Sequence, residues 1–562
     1  MHRARIYPTR LQGAAPAITL VPLAARARSR TIRAAGLALG VGIVLLAAGV
    51  AGSRQSGSAL PAAAAGGQAG IVRILGGEPA TIDPAAIGDS TSAGVAAQLF
   101  ESLTSYDADL HLQPALAAGW TIADDGRRIV FHLRPGLTFS DGTPLRADDV
   151  VQSWLRVIDP GHPSPLASLM DDVDGAADFR AGHLVDAAAV GLAADRQDVT
   201  VRLVAAAGEF PAIVSGPTFA ILPPRARSDQ QAMQPSEAFV SSGAYRLVEQ
   251  ASDHLRLVAN DRYWAGRPAV GEIRLVTDLG GRGSVAAYEA GELDYAQIGS
   301  SDASWIRYDR TLGPDLREVA SLSVTYYGFD ARRPPFDDPR VRRAFARAVD
   351  WDRIIRLTGP AVQEAVTSLV PPGIPGRTSR DLGAIHDPAA ARADLAAAGY
   401  PGGRGFPTIT MVTPGFRSDG AVLAQLAAEL GIHVNYEVMD SGTYFGRLSS
   451  DPPAFWAVSW VADYPGPNDF LGILLGTGQE NNYGGWANPE FDAAIAAARA
   501  ATSPSPARAA YDRAEILIRD DAPVIPVSYG SGWALSRSGL LGATDNGLAL
   551  PRFAGLAWEA GK

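Results

Sequence analysis

Residues 456–470 read WAVSWVADYPGPNDF. An apolar run broken only by Ser459 ends in Asp463, and Pro465 and Pro467 then stop any regular element. Trp456, Trp460 and Tyr464 crowd that single carboxylate in sequence. The pattern reads as a strand that delivers its last residues to a cleft, with Asp463 as the charged anchor of a buried ligand. The same residues also read as a turn capped by an Asp beside core tryptophans. Locally both readings stand, so the surrounding chain has to separate them.

Outward from this stretch, strand and helix patterns alternate. Residues 409–412, 421–430 and 432–438 form a β-α-β run, with Gly431 closing the helix and Ile432, Val434, Tyr436 and Val438 on one strand face. Residues 323–329 (SVTYYGF) are aromatic and β-branched, as in a strand. Residues 338–357 are helical, with Val341, Phe345, Val349 and Ile354 facing inward, and 388–398 form an alanine-rich helix. Two amphipathic helices at 488–500 and 506–519 precede a strand at 523–529 that carries Tyr529. Toward the amino end, strands are expected at 71–75, 129–133, 199–204, 245–248 and 255–259. Helices are expected at 90–103 and from Asp148–Asp149 onward, where two acids suit a helix amino terminus. No repeat recurs at a fixed period. The class is therefore α/β, and ligands in such folds sit outside the carboxyl ends of strands. Asp463 falls at such an end.

The 562 residues are 47% hydrophobic and 19% charged, a globular composition. Length suggests two to four domains. The absence of cysteine excludes disulfides, thiolate metal sites, cysteine nucleophiles and a cysteine-borne lipid anchor. The first 70 residues hold eight arginines and no acid; removing them leaves 41 basic residues against 59 acids, a net charge of −18 for the rest. So acidic a body argues against nucleic acid or an anionic membrane surface as its partner. Residues 34–52 (AAGLALGVGIVLLAAGVAG) form an unbroken apolar run behind the arginine-rich leader. They read as an export signal, with Ala-x-Ala cleavage choices such as 62–64, or as a retained single span. In either case the body is expected outside the cytoplasmic membrane.

Catalytic patterns are missing from the sequence. The eight histidines make no HExxH or other close ligand pair, and there is no G-x-S-x-G elbow and no P-loop. Paired acids at 148–149, 171–172 and 520–521 suit helix ends and turns. The expectation is a non-enzyme with no metal and no cofactor.

Four stretches resemble family 5 solute-binding proteins of ABC importers, the dipeptide and oligopeptide binders of the type II periplasmic-binding-protein class. They are residues 114–160, 243–299 (with GAYRLVE, LVANDRYW and AAYEAGELDYAQIG), 327–373 (with YGFDARRPPFDDPRVRRAFARAVDWDRI) and WVADYPGPNDFL followed by NYGGWANPEFDAAIAAA. They occur in the family's order across nearly all of residues 71–562. The resemblance implies a two-lobed clamshell with an extra insertion domain. Lobe I would comprise 71–104, 238–321 and 534–562, the insertion domain 105–237, and lobe II 322–533, after a signal or anchor segment and linker at 1–70. Hinges would lie near 321 and 534. It also implies a peptide ligand, ABC permease partners and action as a monomer. Asp463 matches the aspartate that pairs with a peptide's ammonium group, Trp460 its neighbouring tryptophan, and Ser459 and Val461 positions that bind peptide through the backbone. Arg417 lies close to the arginine that holds the carboxylate in dipeptide binders, and Tyr529 joins the expected site. Ser92 replaces a common acid, Ala457 an arginine and Leu166 a tyrosine. These departures keep open another solute, such as an oligosaccharide, a metal chelate or an opine-like compound. A sensory solute receptor is also left open.

Overall fold

Two long antiparallel strands, Leu316–Phe329 and Val524–Ser536, run through the middle of a ten-stranded sheet. The computed structural model describes residues 70–559 apart from 124, 359–364, 502, 544–546 and 549–551. The apolar run at 34–52 lies outside the described residues, and among these no helix is long and apolar enough to cross a membrane.

The sheet has two halves. On one side of the long pair lie Tyr295–Ile298, Ile71–Leu75, Glu272–Val276, His254–Ala259 and Tyr245–Gln250, in that spatial order. On the other lie Phe455–Val461, Ile409–Thr413 and Val434–Val438. The long strands pair as Leu316–Ala320 with Ser531–Leu535 in the first half, and as Val324–Gly328 with Val524–Tyr529 in the second. The register breaks between Ala320 and Val324. Among the described residues only these two strands carry the sheet from one half to the other, so the sheet is two lobes joined by a narrow ribbon. The crossing on the second strand lies between Tyr529 and Ser531, a few residues before the expected 534.

The Phe455–Val461 strand has a large apolar side chain on both faces because it is buried on both faces. Trp456 and Val458 enter one core with Tyr326, Phe470 and Phe491. Phe455 and Ala457 enter another, where Phe455 stacks on Phe329 at 5.2 Å and meets Phe345 edge-on at 5.5 Å. Beyond Val458 the strand leaves the core, and Ser459 and Val461 are exposed. Gly328 sits opposite Trp456. A Cβ there would lie 2.2 Å from the Trp456 ring, so the close approach requires glycine.

An insertion forms its own four-stranded antiparallel sheet, Ala117–Ile122, Arg128–Leu133, Asp198–Arg202 and Leu192–Asp195. Helix Ala147–Val157 packs on it, burying Trp154, whose Nε1–H donates to the Phe219 carbonyl at 3.0 Å. Asp149, not Asp148, does the capping: its carboxylate accepts from the Arg146 N–H at 2.8 Å.

Three expected elements differ in the structure. The helix expected over 338–357 is two, Pro339–Ala348 and Trp351–Thr358. Val349 is extended, and Asp350 restarts the chain by accepting from the Arg353 N–H at 3.0 Å while its own N–H donates to Gln425. The helix from Ser90 stops at Leu99, because Phe100 turns to an extended conformation. Tyr436 and Val438 are exposed on the edge strand Val434–Val438, not packed in the core, although the Tyr436 hydroxyl reaches back to the buried Asp419 carboxylate.

Candidate functional site

After Val461 the chain leaves the sheet with one last backbone bond, the Ala462 N–H to the Leu322 carbonyl at 2.9 Å. Asp463 follows, then Tyr464 and the short helix Pro467–Phe470. Asp463 lines a small cavity of about 30 Å³. Every other lining residue comes from the opposite lobe, its insertion or the carboxyl-terminal segment, including Phe100, Tyr106, Ser215, Pro217, Leu548 and Arg552. The cavity is thus a cleft across which Asp463 faces the first lobe.

Behind Asp463 stands a second acid. Asp469 is fully buried; its Oδ2 accepts from Trp460 Nε1–H at 2.9 Å and from the Asp463 N–H at 3.3 Å. Its Oδ1 has no hydrogen-bond partner among the described residues. Burial, reinforced by the neighbouring Asp463 charge, pushes the Asp469 carboxyl well above the ordinary range. Burial alone pushes the Asp463 carboxyl up to about 6. Two acids without a cation among the described residues are electrostatically incomplete. A positive group brought into the cleft would meet a charge that no protein side chain neutralises.

The strand edge beside Asp463 is also open. In an antiparallel pair, alternate residues bond to the same neighbour. Ala462 bonds toward Leu316–Phe329, so Ser459 and Val461, one residue out of step, direct their main-chain groups to the other edge. Ala457, of the same parity, confirms this edge: its N–H and C=O both bond the Tyr444 hydroxyl, at 3.2 and 2.6 Å. The next strand, Ile409–Thr413, pairs only as far as Trp456.

Of the residues expected at the site, Asp463 alone lines the cavity. Trp460 supports it from behind, through Asp469. Ser459 Oγ bonds Thr325 Oγ1 at 2.6 Å, and its backbone faces the open edge with that of Val461. Arg417 is exposed in the loop between Thr413 and Asp419. That loop is shaped by buried Asp419, whose carboxylate accepts from Tyr327, Thr413 and Tyr436 hydroxyls at 2.6 to 2.7 Å. Ser92 is fully buried in its helix, where its Oγ accepts from the Thr81 N–H at 3.2 Å. The Tyr529 hydroxyl accepts from the Ser368 N–H and Arg377 and donates to the Ser368 carbonyl at 2.8 Å, fastening the 367–377 loop.

Residues that the sequence did not single out complete the site. Asp469 lay within the quoted stretch, but nothing local separates a buried acid from a helix-capping one. Arg552 stands on the opposite wall, with Nη1 on Glu101 Oε1 at 2.7 Å; the Tyr263 hydroxyl donates to Glu101 Oε2 at 2.5 Å. Next to the cleft, Arg499 reaches from helix Pro489–Arg499 to the insertion. Its Nε bonds Glu209 Oε1 at 2.6 Å, Nη2 bonds Asp172, and the Tyr464 hydroxyl reaches Glu209 Oε2 at 3.2 Å. Asp107, Asp109 and His111 bring possible metal-ligand atoms within 4.8 Å in an exposed turn. There Asp107 already accepts from the Asp109 and His111 N–H groups and from Gln113, which accounts for the cluster as a hairpin turn.

Comparison with known proteins places this geometry in context. The sequence model described as bacterial extracellular solute-binding proteins, family 5 Middle, matches residues 111–482. The probable deoxycholate-binding periplasmic protein YgiS of Escherichia coli is 30% identical over 474 residues, 80% of this chain and 86% of that protein. Heme-binding protein A of Haemophilus influenzae is 27% identical over 485 residues, 81% of this chain and 86% of its own length. The solved structure of the Escherichia coli murein tripeptide binding protein MppA superposes with a TM-score of 0.72 at 23% identity, covering 87% of this chain and 98% of that one.

Proposed function

Because this chain belongs to the family 5 bacterial extracellular solute-binding proteins, we propose that it captures short peptides between its lobes and delivers them to an ABC permease. The observation that carries the reading is the Asp463 carboxylate, half-buried at the cleft and unpaired among the described residues. A peptide's ammonium group supplies the missing charge, and its extended main chain can add to the open edge at Ser459 and Val461. Lobe I is taken as 71–104, 238–321 and 534–562 with the insertion 105–237, and lobe II as 322–533. The register break of the long strands supports a hinge there. A buried, unpaired Asp463 disfavours closure, and a bound ammonium removes that cost, so ligand shifts the population toward the closed state. The protein acts as a monomer without catalysis, outside the cytoplasmic membrane, by way of the segment at 34–52.

Native mass spectrometry of the purified protein, followed by calorimetry with a mixed peptide pool, tests the reading. Peptides are expected to co-purify, and Asp463→Ala to bind the pool much more weakly. Unchanged affinity in that variant removes Asp463 as the anchor. The relative named as a probable deoxycholate-binding protein, together with apolar lining at Phe100, Pro217 and Leu548, favours one second reading, an amphipathic carboxylate. Deoxycholate binding that survives Asp463→Ala, with no peptide binding in the parent protein, would select it.

A further inference from the structure

We infer that the hairpin formed by Thr104–Tyr106 and Leu112–Pro114 is a plug built into the first lobe. Its tip residue, Leu110, seats in the core of the second lobe and competes with solute, peptide or other, for the closed cleft.

The two short strands pair with Tyr106 opposite Leu112. Asp107 builds the tip between them. Its carboxylate accepts from the Asp109 N–H at 3.0 Å, the His111 N–H at 2.8 Å and Gln113 Nε2 at 2.9 Å, and its carbonyl accepts from the Leu110 N–H at 3.2 Å. Ala108, Asp109 and His111 are exposed, yet Leu110 among them is only 6% exposed. It is buried in the core that holds Leu322, Ile374 and Phe470, and every other buried member of that core among the described residues lies within 322–529. Gly373 stands close by: a Cβ built there would be 3.8 Å from Leu110 Cδ1 and 3.4 Å from Leu322 Cδ2. One apolar side chain thus leaves a polar turn of one lobe to complete the core of the other.

The seat is held against backbone strain. Leu110 has φ +60°, in the left-handed region that a leucine rarely adopts. The turn alone would be served by glycine or asparagine, so the leucine is explained by the pocket that takes its side chain. Strain of this kind persists where surrounding contacts over-determine it.

The hairpin also limits the space beside Asp463. Tyr106, on its first strand, lines that cavity, and Leu548, another lining residue, packs against the core that holds Leu110. With Leu110 seated, the cavity is about 30 Å³. That is room for about two waters, against about 300–1,000 Å³ for a small-molecule pocket. Seated hairpin and bound solute therefore exclude each other. The hairpin withdraws when solute enters, and apparent affinity is reduced by the fraction of molecules that are plugged.

The chain has no cysteine, so Asp109→Cys/Ser505→Cys puts one spin label on the exposed tip and one on the exposed start of helix Pro504–Asp521 in the second lobe. Pulsed dipolar spectroscopy then reads the distance between them. Leu110→Asn tolerates the left-handed backbone but is too polar for the core. In the labelled chain it is expected to lengthen that distance, as is saturating solute in the labelled parent. Without labels, by calorimetry, it is expected to bind tri-alanine or deoxycholate about tenfold tighter than the parent. Burying one leucine shifts an equilibrium by roughly ten- to a hundredfold, and left-handed strain opposes about tenfold of that. Should Leu110→Asn not fold, Leu110→Ala shortens the plug and carries the same expectations. An unchanged distance in the variant overturns the seating. A lengthened distance with equal or weaker binding overturns the plug and makes Leu110 a latch that aids closure. If neither probe binds either protein, the peptide reading falls by itself, and hydrogen exchange over 459–464 decides the plug: faster exchange in the variant upholds it, and unchanged exchange overturns it.

Discussion

Asp463 and Asp469 are two carboxyls in one poorly solvated place, and their protons follow from that. An unfolded aspartate titrates near 4, whereas folded Asp463 titrates at about 6. Between those values the folded state holds more protons than the unfolded one, so ligand-free stability falls as pH rises, and the loss is complete above 6. Asp463→Asn is expected to match the parent near pH 4 and to exceed it at pH 7 by about 1–3 kcal/mol in urea unfolding, since each pKa unit is worth about 1.4 kcal/mol. A variant no more stable at pH 7 would show that the site carries no unpaired charge. Binding runs the other way. An ammonium needs the ionised acid, so affinity for tri-alanine should fall about tenfold for each pH unit below 6. Asp463→Ala should cost about 3–5 kcal/mol of peptide affinity at pH 7, the usual loss when one partner of a buried pair goes.

At the scale of elements, the site depends on how the Phe455–Val461 strand is clamped. Trp456 is wedged edge-on between Tyr326 at 5.8 Å and Tyr483 at 5.9 Å, with Gly328 beneath its ring. Gly328→Ala must push the ring or the strand aside, and overpacking of this kind costs about 1–3 kcal/mol. Thermal unfolding should show that loss. Peptide affinity should fall with it, because the same strand carries the open edge at Ser459 and Val461. Unaltered stability would mean that the two strands separate freely. The strand itself was legible in the sequence, as were its proline stop and the β-α-β run beside it, since the apolar period is a local property. The first half of Leu316–Phe329 was not. Of its residues, Leu316 is half-buried and Arg317 and Glu318 are exposed, so the apolar alternation is weak, and Leu316–Ala320 become a strand by pairing with Ser531–Leu535, about two hundred residues away in sequence.

At the scale of the molecule, Arg499 fastens the second lobe to the insertion through Glu209 and Asp172, and Tyr464, whose hydroxyl reaches Glu209, is the residue next to Asp463. It does not line the cavity around Asp463. Burial pushes the Glu209 carboxyl up even with Arg499 beside it, so losing the arginine leaves two crowded acids. Arg499→Ala should therefore open the clamshell. The radius of gyration by small-angle scattering of the ligand-free protein should rise, and peptide should bind more weakly without any contact being removed from the cleft. An unchanged radius and affinity would assign Arg499 to local stability alone.

The sequence by itself determined the α/β class, the order of segments that marks the family, the acidic body and the strand that ends at Asp463. These are carried by local periodicity, turn residues and composition, which survive without knowledge of the partner chain segments. The tertiary structure alone decided which charges meet. Arg552 finds Glu101 across 451 residues of chain, and Asp469 became a buried partner of Asp463 only when Trp460 folded over it. It also turned Ser92 and Tyr529 inward onto backbone, away from the cavity. A cleft is assembled from segments distant in sequence, and the solvation and distance that set the strength of a charge exist only after they have come together.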